Sequence, residues 1–142
     1  MILLDTNVIS ELMKPEPEPT VLDWVDQQVD TDLYFSAITK AEVEWGIDLL
    51  ADGKRKRQLV EAAAAVFALF DGRCLDYACS VASGYVAVAA ESRRAGRPMS
   101  VEDMIIAAIA RTQDAVLATR NVSDFDFLPG LALVNPWLVS QV

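Results

Sequence analysis

Short apolar runs alternate with longer stretches of helical periodicity along the chain. The short runs predict five strands, at residues 2–4, 33–36, 73–75, 115–118 and 131–134. The longer stretches predict six helices, at residues 7–13, 21–28, 39–50, 55–70, 80–94 and 100–112. Because strands that alternate with helices pair in parallel, the pattern predicts an α/β domain with a central, mostly parallel sheet of about five strands.

The segments between these elements predict where helices begin and which helix is buried. The stretch KPEPEP at residues 14–19 is a stiff connector, because proline interrupts a helix. Thr20 then predicts the N-cap of helix 21–28, with Asp23 completing a capping box. Helix 100–112 is apolar on several sides in the run MIIAAIA, so we expect it inside the domain or between its layers.

Length and composition are those of one folded domain, which we expect to span residues 1–142. The chain of 142 residues is 53% hydrophobic and 23% charged, which excludes a disordered protein. Its first apolar run is too short for a signal peptide, and no apolar run is long enough to cross a bilayer. We therefore predict a cytoplasmic location.

Charge and the absence of histidine limit the chemistry that is open to the chain. A net charge of −9 argues against a generally basic surface, so a polyanionic substrate would need a local basic patch or bound cations. Without histidine, imidazole is excluded as a base and as a metal ligand. Cys74 and Cys79 form neither a zinc motif nor a CxxC pair, and we interpret them as small core residues.

Three acidic residues lie where surface charge is not expected. Asp5 follows an apolar strand directly, at the end of a parallel strand where binding sites are built. Glu42 falls on the same helical arc as Val43 and Ile47, whereas Glu44 and Asp48 on that helix point to solvent. Asp103 lies in the first turn of the most apolar helix, so we expect it to face a cleft.

Each acid also has a purely structural interpretation. Thr39 with Glu42, and Ser100 with Asp103, match the spacing of a capping box, in which the acid accepts a hydrogen bond from the backbone of the cap residue. Asp5 fits an Asx-turn that leads into the next helix, and Asn7 is an alternative cap there. Taken singly, Glu42 and Asp103 are more often caps than catalysts.

Convergence of the three acids would favour a bound cation. Two carboxylates about 4 Å apart repel each other by about 4 kcal/mol at an effective dielectric constant near 20, so a cluster takes up protons or binds a cation. Hard oxygen ligands without histidine select Mg²⁺ or Mn²⁺ rather than zinc. Such an ion can activate a water for attack on a phosphodiester and neutralise the charge that develops.

Four motifs in order resemble those of one family of nucleases. MILLDTNVISEL, FSAITKAEVEWGI, GRPMSVEDMIIAAIA and ATRNVSDF are similar in order and spacing to the motifs of PIN-domain ribonucleases. The resemblance is to VapC-type toxins of bacterial type II toxin-antitoxin systems, in the FitB-like branch, and it extends to the closing LVNPW. It implies a three-layer α/β/α PIN-like fold.

The resemblance implies roles for individual residues. Asp5, Glu42 and Asp103 match the acids that bind Mg²⁺ or Mn²⁺ and cleave single-stranded RNA, leaving a 3′-hydroxyl and a 5′-phosphate. The polar residues that match supporting positions of the family are Asn7, Ser36 and Thr119. Where the family often has a further acid after the threonine, this chain has Asn121, and the next acid is Asp124. Either side chain could hold a water on the metal.

The resemblance also implies partners. Toxins of this type are usually homodimers, neutralised by a small VapB- or FitA-like antitoxin whose C-terminal segment lies in a groove of the toxin and whose N-terminal part binds operator DNA. The acidic net charge suits a more basic partner. A rival hypothesis is a catalytically silent PIN-like module that only binds such a partner, although the intact set of acids argues against it.

Basic side chains near the motifs are candidates for contact with RNA phosphates. Lys40, Arg97 and Arg120 are the best placed, although Arg97 could equally complement a helix dipole. The run KRKR at residues 54–57 predicts a solvated face or the rim of a dimer. Helical spacing favours core or dimer packing for most tryptophan and phenylalanine residues, and we assign them no role in the site.

Overall fold

The computed structural model describes residues 1–138, which contain five strands and six α-helices. The strands are β1 (Ile2–Leu4), β2 (Leu33–Ser36), β3 (Cys74–Leu75), β4 (Val116–Ala118) and β5 (Leu133–Val134). The helices are α1 (Thr6–Leu12), α2 (Pro19–Asp26), α3 (Ala37–Asp48), α4 (Lys54–Leu69), α5 (Ala82–Ala95) and α6 (Val101–Thr112). Short 3₁₀ turns lie at Asp30–Asp32, Cys79–Val81 and Val122–Asp124.

The strands form one sheet in the order β3-β2-β1-β4-β5, and all four pairings are parallel. In the centre, Leu3 of β1 is in register with Tyr34 of β2 and with Leu117 of β4. The prediction of an α/β domain with a central parallel sheet of about five strands is confirmed.

Side chains alternate across the sheet and divide the core into two halves. Leu4 faces the core shared with α1, α2, α3 and α4, whereas Leu3 faces the core shared with α5 and α6. Ala118 and Leu117 divide in the same way on β4. Because successive residues of a strand point to opposite faces, β1, β2, β4 and β5 each contribute to both halves. The result is the three-layer α/β/α arrangement, with α6 buried along Ile106 to Ala110 as its apolar run predicts.

The strand order fixes where a binding site can form. From β1 the chain moves outward to β2 and β3, and it then returns to the other side of β1 as β4 and β5. The point between β1 and β4 is therefore a topological switch point, where a crevice opens beyond the carboxyl ends of the strands. Asp5 directly follows β1 and Thr119 directly follows β4, so both residues lie at this crevice.

All six predicted helix starts differ from the structure by one or two residues, and at two of them the cap residue explains the difference. Helix α2 begins at Pro19 with Glu18 as its N-cap, so the predicted cap at Thr20 is wrong. Proline is favoured at a first helical position because its missing N–H is not needed there, which is why the connector is shorter than predicted. Helix α3 begins at Ala37, because the side chain of Ser36 caps it by accepting the N–H of Thr39. Thr39 therefore lies inside the helix.

The prediction of two core cysteines is also wrong. Cys74 on the edge strand β3 and Cys79 after it are both exposed free thiols. Strand β3 has only two residues and pairs on one side alone, with β2, so its side chains are incompletely covered. None of the helices in residues 1–138 has the length and hydrophobicity needed to cross a membrane.

Helices α5 and α6 approach closely at Gly84, which predicts a packing defect on enlargement. A Cβ atom at Gly84 would lie 3.0 Å from Thr112 Oγ1 and 3.8 Å from Ala108 Cβ. We expect Gly84→Val to lower the free energy of unfolding by about 1–3 kcal/mol, because the two helices would be forced apart. Urea denaturation measures the change. Gly46→Val on α3, where a Cβ meets nothing within 4 Å, is the control and should stay within about 0.5 kcal/mol of the wild type.

Candidate functional site

A cavity of about 410 Å³ lies at the carboxyl ends of β1 and β4. The three acids singled out in the sequence all line it, although they come from β1, α3 and α6 and are up to 98 positions apart in the chain. Its lining also includes three further residues from the sequence prediction, namely Asn7, Arg120 and Asn121. The fold therefore brings Asp5, Glu42 and Asp103 to one site.

Asp5 is held on both carboxylate oxygens. Its side chain is 5% exposed and caps α1, with Oδ1 accepting the N–H of Thr6 at 2.7 Å. Oδ2 accepts the hydroxyl of Thr119 at 2.8 Å and is 3.5 Å from the Asn7 amide nitrogen. Burial raises the pKa of Asp5, the bonds from Thr119 and Thr6 lower it, and the charge of Asp124 raises it. The carboxylate is rigid and has few ways to turn.

Asn7 and Thr119 connect Asp5 to the segment after β4, across the switch point of the sheet. Asn7 donates to Thr119 Oγ1 at 3.3 Å and accepts the N–H of Arg120 at 3.3 Å. The side chain of Asn7 thus joins α1 to the segment after β4 and helps to orient Asp5. The N-cap of α1 is Asp5 itself, so the alternative cap at Asn7 is not the one used.

Glu42 faces the cavity from α3 and is held by a hydroxyl group. Thr6 Oγ1 donates to Glu42 Oε1 at 2.9 Å. Burial raises the pKa of Glu42, the bond from Thr6 opposes this, and the charges of Asp5 and Glu102 raise it further. Because Ser36 caps α3 in place of Thr39, the capping-box interpretation of Glu42 is wrong.

Asp103 lies in the first turn of α6, where Ser100 is the N-cap. Ser100 Oγ accepts the N–H of Asp103 at 3.1 Å, so the predicted cap residue is confirmed. Burial is the main cause that raises the pKa of Asp103 from 3.8 to about 6, followed by the charges of Asp5, Asp124 and Glu42. Asp103 thus lies in the first turn next to the N-cap of α6 and also lines the cavity, so its place beside the cap does not exclude a role in the cavity.

The electrostatics of the cavity fit a cation. All three acids have a raised pKa, and each is raised partly by other carboxylates of the group or its neighbours. Within residues 1–138 none of the three forms an ion pair with lysine or arginine. Three hard oxygen donors without imidazole or thiolate suit Mg²⁺ or Mn²⁺. In residues 1–138 no three acids already have the close spacing of a metal cluster, so joint ligation requires Asp103 to turn towards Asp5 and Glu42, whose carboxylates Thr6 and Thr119 hold in place.

Two residues of different character, Asn121 and Asp124, lie where the family often has a further acid. Asn121 lines the cavity, and its N–H donates to Thr119 Oγ1 at 3.1 Å. Asp124 is exposed at the end of a 3₁₀ turn, yet its charge raises the pKa of both Asp5 and Asp103. Asn121 is thus part of the cavity lining, whereas Asp124 acts on the acids through its charge.

The structure adds residues to the cavity that the sequence did not indicate. Thr6, Glu11, Lys14 and Trp137 all line it. Glu11 is 6% exposed, binds Lys14 Nζ at 2.6 Å and accepts the N–H of Glu18 at 3.0 Å. Its pKa is lowered, chiefly by the bond from Lys14. Glu11 follows Val8 by three positions, on the buried face of α1, and this spacing is the signal that could have identified it.

The three candidates for RNA contact lie in different surroundings. Arg120 lines the cavity, and its guanidinium carbon lies 5.1 Å from the centre of the Trp137 ring. Lys40 is outside the cavity, in an ion pair with Glu44 on α3. Arg97 is also outside it and donates to the carbonyl oxygen of Ser123. Of the three, Arg120 alone is among the residues that line the cavity.

Comparison with known proteins agrees with this geometry. The sequence model of the PIN domain matches residues 2–127. Toxin FitB of Neisseria gonorrhoeae is 40% identical over 138 residues, which are 96% of this chain and 99% of that protein. A VapC ribonuclease of Sinorhizobium fredii is 38% identical over 138 residues, or 96% of this chain and 98% of that protein. The structure of FitAB bound to a DNA fragment is similar with a TM-score of 0.89 and 38% identity, over 99% of both chains.

The chain is thus similar to these proteins in sequence and in fold. The chain belongs to the PIN domain family. Its predicted resemblance to VapC-type and FitB-like proteins is confirmed.

The raised pKa of Asp103 predicts a stability that depends on pH. Since the pKa of about 6 in the folded protein exceeds the value of 3.8 for a free side chain, ionised Asp103 destabilises the fold, and this is relieved as the pH falls through 6. In EDTA at pH 7.5 we expect Asp103→Asn to be more stable than the wild type by about 1–2 kcal/mol, after allowance for solvent screening. The difference should shrink at pH 5.

Urea denaturation at the two pH values measures this difference. Glu16→Gln, which removes an exposed acid from the connector between α1 and α2, is the control and should show no such dependence. Equal stability of Asp103→Asn and wild type at pH 7.5 would contradict the prediction.

Proposed function

We propose that the chain is a divalent-metal-dependent endoribonuclease that acts as the toxin of a type II toxin-antitoxin module. The observation that carries the proposal is the cavity shared by Asp5, Glu42 and Asp103 at the switch point of the parallel sheet. These acids lack a cationic partner within residues 1–138, and an external cation would relieve their repulsion. Similarity to a VapC ribonuclease supports RNA as the substrate.

Asp5, Glu42 and Asp103 would hold the ion, Mg²⁺ or Mn²⁺, with Asn121 or Asp124 acting through a water. When bound, the ion supplies positive charge to the phosphate and lowers the pKa of a bound water for attack on the phosphodiester. Asp5 contributes a rigid carboxylate, because Thr6 and Thr119 fix both of its oxygens. Glu42 offers the oxygen that Thr6 leaves free, since Thr6 bonds to Oε1 only.

Arg120 is the side chain best suited to bind the RNA phosphate. It lies on the cavity wall, and stacking near Trp137 limits the positions that its guanidinium group adopts. Binding of phosphate by arginine follows from its planar donor geometry.

An antitoxin segment would bind in a second, larger groove that adjoins the acidic cavity. The groove has a volume of about 980 Å³ and lies between α1, α3 and α4, with apolar contacts from Met13, Val43, Ile47 and Leu59. It shares Glu42 and Thr6 with the acidic cavity, so a segment lying in it reaches the site. The net charge of −9 favours a basic partner. The FitAB and VapBC complexes among the solved structures support an antitoxin as the partner.

A homodimer is the third part of the proposal, and α3 offers a surface for it. Trp45 and Leu49 are 62% and 65% exposed, and they lie one helical turn apart. Large apolar side chains that adjoin each other on a helix are typical of protein interfaces. The antitoxin in this arrangement would connect the dimer to operator DNA.

The carboxylates provide the principal test. Purified protein free of antitoxin should cut RNA with Mg²⁺ or Mn²⁺ and stop with EDTA. Asp5→Asn and Asp103→Asn should each lower the cleavage rate by more than about 100-fold, since loss of a ligand exceeds the loss from an outer partner, and should abolish growth arrest on expression. Gel assays of RNA cleavage measure the rate, and circular dichroism verifies the fold.

Asp48→Asn is the matched control for these variants, because Asp48 is an exposed acid on the same helix as Glu42 and faces away from the cavity. It should cleave RNA like the wild type. Full activity of both Asp5→Asn and Asp103→Asn would refute the mechanism. A wild-type protein that binds its partner and never cuts RNA would favour the silent binding module.

A second test concerns the basic side chains. We expect Arg120→Ala to raise the KM for RNA by about 10-fold, because one phosphate contact is lost. For the same reason, the slope of the logarithm of the binding constant against the logarithm of the salt concentration should become smaller by about 1. Lys40→Ala and Arg97→Ala should raise KM less, since both side chains already have carboxylate partners outside the cavity. Titration of RNA binding at several salt concentrations measures these effects, and equal KM values for Arg120→Ala and wild type would contradict the assignment.

A further inference from the structure

We propose that the hydroxyl groups of Ser36, Thr39 and Thr6 form a hydrogen-bonded series that fixes the Glu42 carboxylate for binding a divalent cation. Thr6 and Thr39 are then positioning residues, which act through Glu42 and not by contact with the ion or RNA. This inference rests on the proposed function, because it assigns a task to side chains behind the proposed metal site.

The series crosses three elements of the fold. Ser36 at the end of β2 donates to Thr39 Oγ1 at 3.3 Å, and Thr39 Oγ1 lies 3.0 Å from Thr6 Oγ1 at the start of α1. Thr6 Oγ1 in turn donates to Glu42 Oε1 at 2.9 Å. Ser36 and Thr39 are 0% exposed, so water cannot replace their partners. The series therefore begins in the core and ends at the cavity.

Counting protons gives the series one direction. Each hydroxyl has a single proton, and an ionised carboxylate only accepts, so the proton of Thr6 is committed to Glu42. Thr6 must then accept from Thr39, and Thr39 must accept from Ser36. The oxygen of Ser36 accepts the N–H of Thr39 at 3.2 Å. Every member is satisfied in this arrangement alone, and no hydroxyl is free to rotate.

This direction has a consequence for Glu42. The charges of Asp5 and Glu102 repel its carboxylate, and the side chain is only partly buried, so without a bond it would turn towards solvent. The bond from Thr6 holds Oε1 and leaves Oε2 for a ligand. Thr6 also donates its backbone N–H to Asp5 Oδ1, so one residue holds two of the three acids. Fixing both before an ion arrives reduces the entropy that is lost on binding.

Isosteric variants separate the hydroxyl groups from the packing. Thr6→Val and Thr39→Val keep the shape and remove the donor, whereas Thr6→Ser and Thr39→Ser keep the donor. Because Thr6→Val retains the backbone N–H to Asp5, it removes only the bond to Glu42. Thr39→Val leaves the proton of the buried Ser36 hydroxyl without an acceptor and can lower stability. If Thr39→Val is less stable, the test depends on Thr6→Val, because Thr6 lines the cavity.

Isothermal titration of each variant with Mn²⁺ measures the effect without any cleavage assay. We expect the valine variants to bind Mn²⁺ about 10-fold more weakly, in the range known for partners of metal ligands, and the serine variants to bind within about 3-fold of the wild type. Thr112→Val, on α6 at the end opposite Asp103, is the matched control and should bind like the wild type. RNA cleavage by Thr6→Val should recover as Mn²⁺ is raised, which a purely structural defect would not show.

Each outcome decides the inference. Wild-type Mn²⁺ affinity in Thr6→Val would overturn it, and so would serine variants as weak as the valine variants, because packing and not the hydroxyl would then matter. If the wild-type protein binds no Mn²⁺ and cuts no RNA, the wild type alone refutes the proposed function, before any variant is compared. Tight Mn²⁺ binding by the wild type with unchanged valine variants would refute the inference alone.

Discussion

The buried carboxylate of Asp5 is the constraint on which the site depends. A charged group with 5% exposure is costly to desolvate, and its raised pKa reflects this cost. Two bonds oppose the cost, from the Thr6 N–H at 2.7 Å and from the Thr119 hydroxyl at 2.8 Å. These bonds require α1 to begin directly after β1 and β4 to lie beside β1. The carboxylate thus couples the local start of a helix to the order of strands in the sheet.

Two kinds of acid share the cavity, and they differ in how their charge is compensated. Glu11 has its own cation in Lys14 at 2.6 Å, and its pKa is lowered. Asp5, Glu42 and Asp103 have raised pKa values and, in residues 1–138, no such partner. The difference separates an acid whose charge is compensated within the chain from three acids whose charges repel one another. Uncompensated charge in a cavity lowers the free energy of unfolding, a cost that is common at functional sites.

Hydroxyl groups support the acids where arginine or lysine would otherwise be expected. Thr6 and Thr119 donate to carboxylates without adding positive charge, and so they orient the acids and preserve their attraction for a cation. A lysine in either position would neutralise the carboxylate and compete with a metal ion. The continuity of the acidic cavity with the groove between α1, α3 and α4 means that a partner bound there can reach the same carboxylates.

The sequence by itself determined the type and order of the strands and α-helices, and their bounds to within two residues. Asp5 was identified because it follows an apolar strand and Asp103 because it begins an apolar helix, which are local patterns, whereas Ser36 and Thr119 were identified by the resemblance to the family. Tertiary structure alone decided which side chains touch. The bond from Thr6 to Glu42 joins positions 36 apart, and that from Thr119 to Asp5 joins positions 114 apart. The caps at Glu18 and Ser36, the exposure of Cys74, and the place of Trp137 in the cavity also depended on packing. Periodicity shows which face of an element is buried and does not show what lies against it.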